Sequence, residues 1–375
     1  MLAFSELVYQ FAWLSFISEE EFGPFAYHVA VASFWIPLGV SYLLAAWTSR
    51  KPGIAYYLVP PTFFAFSYLL LAQTGFGIEI DYPMSVATWV PSVLIPTLWL
   101  LACLLLFRSK VCYAGCLFAA AWIGSQGYPK PRPFNRELTV ALVQTNFAAS
   151  DYETPLGRAA ICRSLLKEIE RCCEQGPDLI VLPEQVVPSP GLAGSEFCDE
   201  LIHLSLEYNS GILLGSNAWS DSPGLQLNGS YFFLNGGPWG PYVKKKLIYG
   251  AETSPYWMRE HLPPQIGRLE SKDWTHEFWL KDHTQVVPKI CFDILDPLPA
   301  IEGSTIVALQ GSTGFDSKGI VSERLLGIAE AQSLRSGYPV LAAINSGPSG
   351  IFTRGLCVGK IDKGRQGALI TRIRF

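Results

Sequence analysis

A layered α/β fold over residues 137–375, preceded by a small bundle of transmembrane helices within 1–128 and a linker over 129–136, is predicted by three observations. Charge is unevenly spread, apolar runs long enough to cross a bilayer occur only in the first third, and strand-like and helix-like segments alternate through the rest. Residues 1–128 carry 4 Lys/Arg and 6 Asp/Glu, out of 28 and 32 in the whole 375-residue chain. The first third is therefore almost uncharged, while the remainder has the charge density of a water-exposed domain. A formal net charge of −4 gives no electrostatic footprint for nucleic acid, so none is expected as a partner.

A membrane-crossing helix needs about 20 apolar residues. The runs 25–47, 54–74 and 86–107 meet this length, and 111–128 is shorter and weaker. The run 2–17 is interrupted by Glu6 and reads as an interfacial segment or a further span, so three to five spans are expected. The N-terminus lacks a basic start and a small-residue cleavage site, and so does not read as a cleavable signal peptide. Arg50-Lys51 and Arg108/Lys110 lie at one set of span ends, with Glu19-Glu20-Glu21 and Glu79/Asp81 at the other. The excess of positive charge on cytoplasmic loops then places the C-terminal domain outside the cytoplasm, in the periplasm of a bacterial inner membrane, provided that 111–128 crosses.

After Pro129, Pro131 and Pro133, strands are expected at 137–145, 178–184, 211–216, 230–235, 241–248, 286–294, 304–310, 339–345, 350–359 and 367–374. Helices are expected at 155–175, 196–208 and 319–336. No sequence repeat is visible. The 9 cysteines show no paired spacing, and His276-Glu277 has no second His at zinc-protease spacing, so neither a metal nor any other cofactor is expected. Most of the cysteines read as small buried apolar residues.

Three of the predicted strands each offer one reactive side chain: Glu184 closes DLIVLPE, Lys244 follows Tyr242-Val243, and Cys291 lies in PKICFDI. Taken one at a time, each has an ordinary reading, as a loop charge, a solvated lysine and a core cysteine. Together they form a nucleophilic set. The carboxylate is the general base for the thiol, and the ammonium favours the thiolate and can stabilise an oxyanion. Glu252 is a candidate for orienting Lys244.

The order Glu, Lys, Cys in these settings resembles the nitrilase (carbon–nitrogen hydrolase) superfamily. Among its branches, Leu182-Pro183-Glu184 with Val187-Pro188, Tyr242-Val243-Lys244 with Leu247, Gly250 and Glu252, and Ile290-Cys291-Phe292-Asp293 look most like the apolipoprotein N-acyltransferases. The resemblance implies a four-layer α-β-β-α sandwich and a thioester on Cys291. It implies a phospholipid as acyl donor, a lipoprotein N-terminus or another amine as acceptor, and the membrane as partner.

The chain also departs from that branch. Asp293 stands where Glu is usual, Gln310-Gly311-Ser312-Thr313 replaces an Asn-Asp-Ala-Trp stretch, the membrane part is about half the usual size, and no apolar run follows the domain. Two other roles stay open: a tethered amidase, or a nitrilase-like component of a plasmid conjugal-transfer system. Trp257 and Trp279, within the aromatic-rich stretch 249–285, are candidates for a lid that meets the acyl donor at the membrane interface, and Asp293 is a candidate for substrate contact.

Overall fold

The computed structural model describes residues 136–375 apart from 188–191, 193, 249–251, 254–267, 273–275, 296–297, 299–303 and 315–319. The predicted spans 2–17, 25–47, 54–74, 86–107 and 111–128, and most of the linker, lie outside the described residues. Among the described residues no helix is long and apolar enough to cross a membrane.

Two six-stranded sheets make up the domain. The first has the order β12-β1-β2-β3-β4-β5, from β1 (Glu137–Gln144), β2 (Leu179–Val181), β3 (Gly211–Trp219), β4 (Gln226–Leu234), β5 (Gly237–Val243) and β12 (Gly367–Arg374). The second has the order β11-β10-β9-β8-β7-β6, from β6 (Phe278–Trp279), β7 (Gln285–Ile290), β8 (Thr305–Ser312), β9 (Val340–Asn345), β10 (Ser349–Thr353) and β11 (Leu356–Ile361). In each sheet three consecutive strands are parallel (β1-β2-β3 and β7-β8-β9), two antiparallel strands follow on one side, and one antiparallel strand closes the other. The two halves thus repeat one pairing pattern without a repeated sequence, because the pattern needs only apolar strands and turns in the right order.

The parallel strands are buried along nearly their whole length, as expected where both faces of a sheet are covered. One face of the first sheet is covered by α2 (Pro155–Cys173) and α3 (Glu196–Glu207), with the short α1 (Ala149–Glu153) leading in. Ile161, Leu165, Ile169 and Cys172 recur at helical spacing on α2. They pack with Phe197, Leu201 and Leu204 of α3 against Ile180, Leu182, Ile212 and Leu214. Each helix opens on a hydroxyl cap: Thr154 accepts from the Gly157 amide, and Ser195 from the Cys198 amide. On the second sheet α4 (Ile320–Ser336) packs against β9 and β10. With β1 lying against β9 and β10, the order is helix, sheet, sheet, helix.

Four predicted strands differ from what the sequence suggests: 178–184 holds only Leu179–Val181, of 241–248 only 241–243 belongs to β5, and the other two have local reasons. The apolar run 286–294 stops being a strand at Ile290, and Cys291–Leu295 forms a 3-10 turn. The run 350–359 is two strands: Arg354 (φ 52°) and Gly355 (φ 75°) are both left-handed and make the two-residue turn of a hairpin between β10 and β11.

Candidate active site

β2 and β5 run in the same direction, because β3 is parallel to β2 and the two pairings from β3 to β5 are both antiparallel. Glu184 and Lys244, just past their C-terminal ends, therefore share one end of the first sheet. Three strand spacings separate β2 from β5, on the order of 14 Å at ~4.8 Å each, so flat strands would leave the two residues apart. The chain closes this gap by a bulge. After Val181 it stays tied to β3 through Leu182 N–H to Leu213 C=O (2.8 Å), Gly215 N–H to Pro183 C=O (3.1 Å) and Val187 N–H to Gly215 C=O (3.2 Å). Residues 184–186 arch over β3, with Gln185 in left-handed backbone at φ 48°.

The arch needs Gly215. A Cβ there would stand 2.5 Å from the Gln185 nitrogen and 2.7 Å from the Glu184 Cα, both backbone atoms that cannot turn aside. Gly215→Ala is therefore expected to lift Glu184 away from its partners. Overpacking of this kind costs ~1–3 kcal/mol. A displacement of about 1 Å in a catalytic group costs about 100-fold in rate. Thermal unfolding and turnover measured on the same preparation would check both, and wild-type turnover would mean that the arch tolerates the methyl group.

Glu184 is 4% exposed and its carboxylate receives three bonds from three elements. Oε1 accepts from Asn228 Nδ2 (2.7 Å) on β4 and from Lys244 Nζ (3.0 Å), while Oε2 accepts from the Ser312 amide (3.0 Å) at the end of β8. Lys244, 1% exposed, also donates to Glu252 Oε1 (2.7 Å). Glu252 is fixed in turn, its Oε2 accepting from the Ile248 amide (2.9 Å). One buried ammonium thus lies between two carboxylates. The expected orienting role of Glu252 fits this contact.

Cys291 follows β7 directly and is buried, at 4% exposure. Its φ of 49° is unusual for a side chain with a Cβ and places a sharp bend at the thiol. Burial pushes the thiol well above its ordinary pKa, against the opposing pull of Lys244, so Cys291 rests protonated. Burial likewise raises Glu184, only partly offset by Lys244, which makes it a stronger base than an exposed glutamate. Burial acts to lower Lys244, but its interactions with the Cys291, Glu184 and Glu252 groups outweigh it and hold the ammonium well above its ordinary value. The three side chains thus sense one another's charge.

Asp293, expected at the substrate, is engaged by the chain itself. It is buried, and its oxygens accept from the Lys246 amide (2.8 Å), the Lys245 amide (3.2 Å) and Tyr242 Oη (3.1 Å). It therefore fastens the turn carrying Cys291 to the backbone that follows Lys244. Burial raises its pKa against these donors. Trp279 ends β6 and is 42% exposed, whereas its neighbour Phe278 is buried and stacked on Phe232 with ring centroids 5.3 Å apart. Part of the aromatic stretch is thus core. Trp257 lies outside the described residues.

No protein-family model matches the chain, and no curated protein does. Its neighbours among solved structures are members of the nitrilase superfamily. One is Nit3 of Saccharomyces cerevisiae, a member of branch 10 of that superfamily, at 16% identity, with a TM-score of 0.49 over 66% of this chain and 93% of that one. Another is XC1258 of Xanthomonas campestris, a CN-hydrolase superfamily protein, at 14% identity and TM-score 0.48 over 64% and 91%. A third is an amidase from Nesterenkonia sp., at 17% identity and TM-score 0.46 over 63% and 90%. The likeness concerns the fold.

Sequence reasoning missed Gly215, Asn228, Gln310 and the Ser312 amide. Gly215 did leave a signal, since a glycine inside an otherwise apolar strand marks close backbone approach. Asn228, Gln310 and Ser312 left none, because their partners are 44, 128 and 128 residues away in sequence.

Proposed function

We propose that the chain is a thiol-dependent acyltransferase of the nitrilase superfamily, anchored by its apolar first third. It carries an acyl chain from a phospholipid through a Cys291 thioester to an amine, such as a lipoprotein N-terminus. The observation that carries the reading is the buried Glu184–Lys244–Glu252 contact, whose charges bear on a buried cysteine at a sharply bent strand end. A base, a fixed cation and a nucleophile in that arrangement suit acyl transfer and little else.

In the first half-reaction Glu184 takes the thiol proton as the Cys291 sulfur adds to the donor's ester carbonyl. Lys244 faces the oxyanion that forms. The tetrahedral species then collapses, the ester C–O bond breaks, and Glu184 returns the proton to the departing alcohol. In the second, an amine adds to the thioester, giving up a proton to Glu184. The C–S bond breaks, leaving an amide and, once the proton returns to sulfur, the free thiol. A buried thioester is shielded from water, which favours the amine over hydrolysis. The predicted spans at 25–47, 54–74 and 86–107 support a lipid donor, since a soluble amide requires no membrane segment. The loop charges support a periplasmic domain. Trp257 and Trp279 are proposed to line the route by which the acyl chain enters.

Incubation of the full chain with phospholipid labelled on its acyl chain is expected to leave label on Cys291, released by hydroxylamine. The labelling rate should fall with acid at a pH above the ordinary glutamate value of about 4.3, because Glu184 must be ionised and burial raises it. An unlabelled protein that instead releases ammonia from small amides would replace this reading with a tethered amidase. Neither activity, in protein that carries its lipid, would leave a non-enzymatic part in an envelope or conjugal-transfer assembly.

A further inference from the structure

The base of this site is held from both sheets, and the link between them is a buried side chain outside the catalytic set. Gln310, on β8, is 0% exposed. Its Nε2 donates to the Leu182 carbonyl at 2.7 Å, and its Oε1 accepts from Ser230 Oγ on β4. Leu182 is the first residue beyond β2, where the chain begins its arch towards Glu184. Its carbonyl receives the Gln310 amide across the gap between the sheets. Two residues along β8 from Gln310, the Ser312 amide binds Glu184 Oε2 at 3.0 Å. Ser230 and Asn228, two apart on β4, share a face, and Asn228 holds Glu184 Oε1 at 2.7 Å.

We propose that Gln310 is a positioning residue for Glu184. It clamps the peptide leading into the arch to the strand that presents the Ser312 amide, and so fixes the base relative to donors on both sheets. The inference rests on the reading of Glu184 as the base for Cys291. An amide is suited to the position because it offers, from one planar and uncharged group, a donor for Leu182 and an acceptor for Ser230. A buried carbonyl and hydroxyl left without partners would shift to find others, and Glu184 would move with the arch. Displacements of about 1 Å are enough to cost about 100-fold in rate.

The test reads thiol reactivity at one site and requires no lipid substrate. The full chain is treated with iodoacetamide across a pH series, and modification of the Cys291 peptide is followed by mass spectrometry, with thermal unfolding recorded for each variant. Glu184→Gln is expected to slow alkylation of Cys291 and to remove the acid limb of its pH profile. Gln310→Met, close in shape but without the amide, is expected to slow it by about tenfold at neutral pH and to shift that limb, with Cys162 and Cys357 reacting as in the wild type. Should Gln310→Met fail to fold, Gln310→Asn, which keeps the amide on an arm one methylene too short to span Leu182 and Ser230, carries the same expectation at neutral pH. If Glu184→Gln leaves alkylation unchanged, the reading of Glu184 as base fails, and the role of Gln310 with it. If Glu184→Gln slows alkylation while a folded Gln310 variant keeps the wild-type rate and profile, the positioning role alone is overturned and Gln310 serves folding only.

Discussion

Cys291→Ala is expected to abolish acyl-enzyme formation outright. In enzymes whose residues act as a unit, removing the nucleophile costs on the order of 10⁶ in kcat, so no residual turnover should be measurable. The fold should survive, since the change removes one sulfur from a buried site. The other described cysteines have ordinary positions. Cys162 is half-buried on α2, Cys198 is buried on α3, and Cys357 is exposed on β11. None of them neighbours Lys244 or Glu184 in sequence or on the strands that build the site. Cys162→Ala, Cys198→Ala and Cys357→Ala are expected to keep most of the activity. A hydroxylamine-sensitive acyl label that persists in Cys291→Ala would reveal another nucleophile and overturn the assignment.

Lys244→Met is expected to have the largest combined effect on stability and activity. The ammonium is almost fully buried between Glu184 at 3.0 Å and Glu252 at 2.7 Å. Removing one partner of a buried ion pair costs about 3–5 kcal/mol, because the remaining charge stays buried without compensation. Here two carboxylates would be left facing each other. The folded state holds the lysine pKa well above its unfolded value. The stabilisation it provides is therefore complete below about pH 10.4 and is lost only as pH rises through the higher folded value, so all of it is at stake near neutrality.

Lys244→Met should accordingly unfold at lower temperature at pH 7 and regain part of the loss in acid, where the carboxylates take up protons. Lys244→Arg keeps the charge, but a planar fork does not fit a site built for a compact ammonium, and acyl transfer should still be lost. Thermal unfolding across pH, with labelling assays alongside, would check both variants. A folded Lys244→Arg protein with wild-type labelling would show that charge alone suffices.

The amino-acid sequence by itself determined most of the elements and singled out the candidate reactive set. Apolar period and capping residues are local signals. The strand at 137–144, the helices at 155–173 and 196–207 and the strand at 367–374 therefore lie within two residues of where the pattern puts them. Glu184, Lys244 and Cys291 were legible as candidates because each lies in or at the end of a predicted strand, in a chemically specific order, with Glu252 shortly after the second. The tertiary structure decided what the strands do past their ends and which side chains support the set. The bulge at 184–186 depends on a glycine of another strand, and the bend at Cys291 interrupts an apolar run that local preference would continue. The donors to Glu184 come from β4 and β8, on different sheets. Asp293 has the charge of a substrate ligand and the surroundings of a fastening. Its partners are the backbone amides of residues 245 and 246, and a backbone amide has no residue type to be read in a sequence. Burial set the direction of proton affinity at Glu184, Cys291 and Asp293, whereas at Lys244 the neighbouring groups outweighed it, and burial at a junction of two sheets is a property of the packed molecule.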